Sequence, residues 1–416
     1  MSSYDRSTRN RLIYVLFVAQ SLFAAAQIAV FTLVAIVAVR LSGTEDVAGL
    51  PSSTLTFSQA IAAVPAALLM SRFGRRLGLS LGFAVGAVGG LVGVIAIMQN
   101  IFPLLLVSAV LMGMARASSE QARFVAGEMF PEAERARMIG RMVFAGTIGA
   151  VAGPLLVAPS GRLMETLGLH PDTGPWVALF ALCAIAGLIT FLLLRPDPAT
   201  LAFKTTDGEE KEDTSQQSVR PLSTLLMLPK VQLAMLAVIV SQTVMVVLMV
   251  MTPLYMDHNH HTRDAISMVI ALHTLGMFGL SPLTGYLIDR FGRTSMLNFG
   301  ALTLITAALL APLSTNQYIL AVALFLLGLG WNFGYVSGSS LLADALQGAE
   351  RARVQGLNDA LVFLAAGFGS LGAGPLFASG GYTRISLAGL ALAVALIGLV
   401  FWYNRPQLKT QAAQNP

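Results

Sequence analysis

Phe73-Gly74-Arg75-Arg76 closes one apolar run, and Phe291-Gly292-Arg293 closes another 218 positions later. Glu134-Arg135-Ala136-Arg137, followed by a glycine-rich run ending Gly153-Pro154, returns as Glu350-Arg351-Ala352-Arg353 before a run ending Gly374-Pro375, displaced by 216. Two nearly equal displacements mark a duplicated unit of about half the chain. Many secondary carriers are built from such repeats and hold their substrate where the repeats meet, so the duplication points to solute transport.

Composition places the chain in a bilayer. Of 416 residues 55% are hydrophobic and 11% charged, with mean hydropathy +0.72, too apolar for a soluble enzyme. A net charge of +5 and a pI near 9.6 do not indicate nucleic acid, because the basic residues sit in short loops between apolar runs. The only cysteine, Cys183, lies in an apolar run, so neither a disulfide framework nor a thiol metal site is expected. No phosphate-binding loop is present, which disfavours ATP-driven pumping and enzymatic catalysis, and no cofactor is expected.

Apolar stretches long enough to span a bilayer predict twelve helices: 12–39, 52–71, 78–98, 102–123, 138–158, 175–194, 231–253, 265–288, 296–314, 317–342, 354–376 and 385–403. The expected fold is an all-α membrane protein of two pseudo-symmetric six-helix bundles, residues 1–195 and 231–416. A polar segment, 196–230, containing the run Asp207–Asp213, joins them as a flexible tether. With the N-terminus inside, only Arg40, Arg162, Arg263 and Arg384 lie outside, and most of the other basic residues gather at the inner ends. Both termini are therefore expected in the cytoplasm of a bacterial-type plasma membrane. No cleaved signal peptide is expected, since the first apolar run is long and lacks a small-residue cleavage site.

These residues resemble the major facilitator superfamily over essentially the whole chain. Its loop between helices 2 and 3 reads Gly-x-Leu-x-Asp-Arg-x-Gly-Arg, matched by Gly285, Leu287, Asp289, Arg290, Gly292 and Arg293. In the first half Leu69, Arg72, Gly74, Arg75 and Arg76 fit, but Ala67 and Ser71 replace the glycine and the aspartate. Helix 5 resembles the proton-coupled drug antiporters of that superfamily through Gly140, Gly149, Gly153 and Pro154, although Val157 and Ala158 stand where their pattern ends in two glycines. The resemblance implies conformational gating by Arg72, Gly74, Arg75, Asp289, Arg290, Gly292 and Arg293 at the inner loops. Gly149, Gly153 and Pro154 would let helix 5 pack closely and bend. The antiporters also carry an arginine in helix 4 followed by Gln-Gly. Here only Arg116 carries over, because Ser119 and Glu120 occupy the places of that Gln-Gly.

Ionisable residues within membrane helices normally line an aqueous cavity or pair with one another. Arg116 and Glu120 are four residues apart on one helical face, so they either neutralise each other or form a proton-exchanging pair, with Asp359 a second protonatable candidate. Gln27, Gln59, Gln242, His273, Asn332 and Asn358 are expected to line the substrate cavity. Trp331 and Tyr335 either stack on a flat ligand or pack within the bundle. His258, His260 and His261, beside Asp257 and Asp264, are weak metal candidates, since their spacing matches no structural zinc motif.

The leading functional expectation is proton-coupled efflux of a small organic molecule by a monomer in the lipid bilayer. The alternatives are proton-coupled uptake of a vitamin-like or other organic nutrient and, in a different class, a membrane metal sensor using the 257–264 loop.

Overall fold

The computed structural model describes residues 3–201, 220–346 and 348–412. The polar run read as a tether falls largely in 202–219, outside the described residues. The described chain is nearly all helical, with no strand. Its helices are α1 (Ser3–Ser42), α2 (Leu50–Phe73), α3 (Arg75–Met98), α4 (Phe102–Glu120), α5 (Ala122–Glu128), α6 (Glu132–Leu155), α7 (Val157–Thr166) and α8 (Gly174–Leu193). They continue as α9 (Leu222–Leu226), α10 (Pro229–His258), α11 (Arg263–Phe278), α12 (Ser281–Phe291), α13 (Arg293–Leu310), α14 (Gln317–Ala345) and α15 (Gly348–Ala412).

Among the described residues 11 helical stretches are long and apolar enough to cross a membrane, the last running over Arg353–Tyr403. That stretch is broken where Gly380 leaves the helical region and Gly381 adopts φ 63, ψ −161. The break gives the two final spans expected from the sequence. Several spans are interrupted where the sequence weakens the helix. Pro154 sits in the last turn of α6, next to the step into α7, and Pro282 follows the step between α11 and α12. In each case the proline lacks a backbone N–H and cannot complete the ladder.

The duplication is visible in the backbone. Gly74 joins α2 to α3 with φ 92, ψ 159, and Gly292 joins α12 to α13 with φ 86, ψ 153. Only glycine adopts this region without strain, so the glycine of each loop motif is required by the turn itself.

The chain divides into two compact units: Met1–Glu212 with His260–Ala271, and Asp213–Asn259 with Leu272–Pro416. In the first unit α1 packs against α6 and α8, and α4 against α2 and α3. In the second, α10 packs against α14 and α15, and α13 against the same two helices. Lipid offers no hydrophobic gain for burying leucine against leucine, so close backbone approach carries much of this association. The α1–α6 contact shows how: a Cβ at Gly153 would lie 2.6 Å from the Ala25 carbonyl oxygen, and one at Gly149 would overlap that of Ser21.

Candidate functional site

Two polar clusters stand inside the units. In the first, α4 carries Arg116 and Glu120 one turn apart, and the Arg116 Nε–H donates to Glu120 Oε1 at 3.3 Å. Gln59 of α2, buried against α4, donates its Nε2–H to the same oxygen at 2.9 Å. Both bonds fall on Oε1, and the Glu120 side chain is 30% exposed. The carboxylate is therefore held by one charged and one neutral donor on one oxygen while the side chain stays partly exposed, an arrangement suited to proton exchange. Beside it Ser119 donates its hydroxyl to Gln20 Oε1 of α1 at 2.6 Å, so three helices meet through side chains here.

In the second unit Trp331 of α14 donates its indole N–H to Gln242 Oε1 of α10 at 2.8 Å. The Trp331 ring stacks on Tyr335 with centroids 4.9 Å apart and meets Phe278 edge-on at 5.7 Å. One face of α14 thus carries a braced aromatic platform with an amide beside it, in which Trp331 is 8% exposed and Tyr335 half-buried. The neighbouring Asn332 turns elsewhere, donating from Nδ2 to the Met277 carbonyl at 2.5 Å and to Ser281 Oγ at 2.9 Å. It supports the break between α11 and α12.

The other expected residues make none of the bonds that build these two clusters. His273 is fully buried, with Nδ1 at 2.8 Å from the Leu324 carbonyl and Nε2 lacking a hydrogen-bond partner among the described residues. Among the described residues Gln27, 7% exposed, has no partner for its Nε2, and Asn358, 2% exposed, none for its Oδ1. Asp359 is partly exposed. Among the described residues no three His, Cys, Asp or Glu side chains gather as a metal-holding group, and His258, His260 and His261 are not brought together.

Around the repeated glycine-arginine loops the structure adds residues that the sequence reading missed. Arg75 makes a two-pronged pair with Glu128, and Arg293 bonds Asp344 at 3.0 Å while lying 3.4 Å from Asp289. Glu128 and Asp344 are 216 positions apart, the displacement of the second motif, so the repeat itself held the signal. Arg72 lies over Phe73 and Arg290 over Phe291, each at 5.4 Å, another repeated contact. Arg6 with Glu134 and Arg220 with Glu350 extend the series, and bonding to Glu350 raises the pKa of Arg220. Where Ser71 replaces the motif aspartate, Asp197 supplies a carboxylate that accepts from the backbone N–H groups of Arg75 at 3.2 Å and Arg76 at 3.0 Å. It caps α3, where an anion is favoured by the helix dipole.

On the opposite side of the first unit, Asp172 is 4% exposed and paired with Arg40 at 2.6 Å and Arg263 at 3.3 Å. Arg162 bonds Asp264 at 2.7 Å. His170 receives the Asp172 backbone N–H on Nδ1 at 3.2 Å. Its pKa is lowered first by burial and then by Arg40, against a smaller opposing effect of Asp172.

The Major Facilitator Superfamily pattern matches residues 16–261 and again 233–416. The MFS-type transporter YddS of Bacillus subtilis strain 168 is 34% identical over 376 residues, spanning 90% of this chain and 86% of that protein. The riboflavin transporter RfnT of Brucella anthropi is 28% identical, spanning 95% and 96%. Among solved structures, the inward-facing, occupied form of a bacterial homologue of the human lysosomal transporter Spinster superposes with a TM-score of 0.77 at 16% identity, covering 98% and 99% of the two chains.

Proposed function

We propose, for a chain that belongs to the Major Facilitator Superfamily of membrane transporters, that it exchanges a small organic solute for protons by alternating access. The observation that carries the reading is the shared grip of Gln59 and Arg116 on one oxygen of Glu120. Protonating this carboxylate weakens the ion pair that links successive turns of α4, so the proton biases the local conformation. Asp359 serves as the second protonatable group. Efflux is favoured by the glycine and proline pattern of α6. The residues 1–195 and 231–416 act as the two moving bundles, with termini and the arginine-rich loops on the cytoplasmic side of a bacterial-type inner membrane. The protein works as a monomer.

A second reading, uptake of a flat vitamin-like nutrient, is favoured by the Trp331–Tyr335 platform and the Gln242 amide beside it, and by the likeness to a riboflavin transporter. Stacking supplies affinity for any planar ring, and the amide gives it direction. Flux in proteoliposomes under two opposite pH gradients, after a thermal-shift screen for substrates including riboflavin, separates the two readings. Accumulation driven by an acidic exterior means uptake; the same gradient driving export means efflux. Flux indifferent to both gradients removes proton coupling.

A further inference from the structure

We infer that the arginine-bearing end of α1 and the neighbouring face of α8 form a binding groove for one anionic glycerophospholipid, in the leaflet that contacts Arg6 and Arg11. The groove is open and encloses about 840 Å³ between α1 and α8, inside the first unit. Its two ends differ in chemistry. Arg6, Ser7 and Arg11 line one end and Val18 of α1 lies toward the other, with Ile189 and Leu193 of α8 as an apolar side wall.

Charge selects the head group. Arg11 is exposed and bonds only the Arg195 carbonyl, at 2.5 Å, with no carboxylate to neutralise it among the described residues. Arg6 meets Glu134 at 3.4 Å, but its side chain is 61% exposed and keeps donors for a second anion. The arginine fork matches a phosphate diester, and each such cation near a membrane surface contributes about 1 kcal/mol toward an anionic lipid.

Depth selects a lipid over a soluble phosphate. The helical rise puts Val18 about 10 Å beyond Arg11, close to the distance from phosphate to upper acyl chain. Tyr14 lies between them, 69% exposed, where an amphipathic ring marks the interface. Val18 and Leu193 are 43% and 54% exposed, an apolar wall that acyl chains would cover. Neither the proton site nor the aromatic platform takes part, so the site stands independently of the transport reading.

The test is retention of phosphatidylglycerol against phosphatidylcholine by the purified full chain in neutral detergent, counted by native mass spectrometry. The expected result is selective retention of phosphatidylglycerol. The double variant R6Q/R11Q should lose that selectivity on the order of tenfold or more. Val18→Trp keeps both charges, fills the apolar end, and should lower phosphatidylglycerol retention as well. Each variant is first checked for an unchanged thermal transition in phosphatidylcholine; if the double variant fails that check, Val18→Trp decides. Equal retention of the two lipids, retention unaltered in the folded variants, or displacement of the lipid by an equal concentration of inorganic phosphate would overturn the proposal.

Discussion

The Arg75 guanidinium holds the Glu128 carboxylate by two bonds, Nε to Oε2 at 3.1 Å and Nη2 to Oε1 at 3.0 Å. The equivalent Arg293 reaches Asp344 through Nε alone and shares its charge with Asp289. Both pairs are partly exposed, which limits their worth, but the forked geometry favours the first. A double-mutant cycle on thermal stability should give a coupling of about 1 kcal/mol for Arg75 and Glu128, and less for Arg293 and Asp344. Equal couplings would mean that the fork contributes nothing.

Glycine contacts predict a graded response along α6. Gly149→Ala drives a methyl into the Ser21 carbonyl of α1, whereas Gly140 has nothing within 4 Å of its would-be Cβ. Overpacking should cost Gly149→Ala about 1–3 kcal/mol, with Gly140→Ala neutral or slightly stabilising. Thermal unfolding of the two proteins side by side measures the contrast, and similar values would refute the close-contact argument.

Asp172→Asn should destabilise the first unit by about 2 kcal/mol, because Arg40 and Arg263 lose the carboxylate they share in a buried place. His170 adds a pH dependence. Its folded pKa lies below the ordinary 6.5, so the unfolded chain binds the extra proton first. This contribution is complete above about pH 6.5 and is lost as pH falls through the depressed value. Replacing His170 with Gln should flatten that part of the stability curve. A curve unchanged in the variant would assign the dependence elsewhere.

How far the sequence reached depended on whether a signal was local. The glycine turns at 74 and 292, the helical spans and the pairing of Arg116 with Glu120 all follow from residues adjacent in the chain or one turn apart. Asp197 was out of reach, since it caps α3 from 122 positions beyond Arg75. Gln59 was legible as a polar residue in an apolar helix, but its bond to Glu120 depends on how α2 is rotated against α4, and periodicity leaves that rotation open. The same holds for Trp331 and Asn332. Adjacent positions on α14 bond different partners, Trp331 to Gln242 of α10 and Asn332 to Met277 and Ser281, and only the packed structure separates the platform from the buttress.

That separation is testable by transport kinetics. Trp331→Ala removes the stack on Tyr335 and the bond to Gln242 together, and should raise KM for a planar aromatic substrate about tenfold with a smaller change in maximal rate. Trp331→Phe keeps a ring and loses only the indole N–H, so it should fall between. If both variants transport with unaltered KM, the platform does not contact substrate.

The most direct test of the account replaces Glu120 with Gln, which keeps the shape and the contact with Gln59 but cannot exchange a proton. In proteoliposomes this variant should lose transport driven by a pH gradient while retaining substrate counterflow. Gradient-driven transport at the unsubstituted rate would contradict the role given to Glu120.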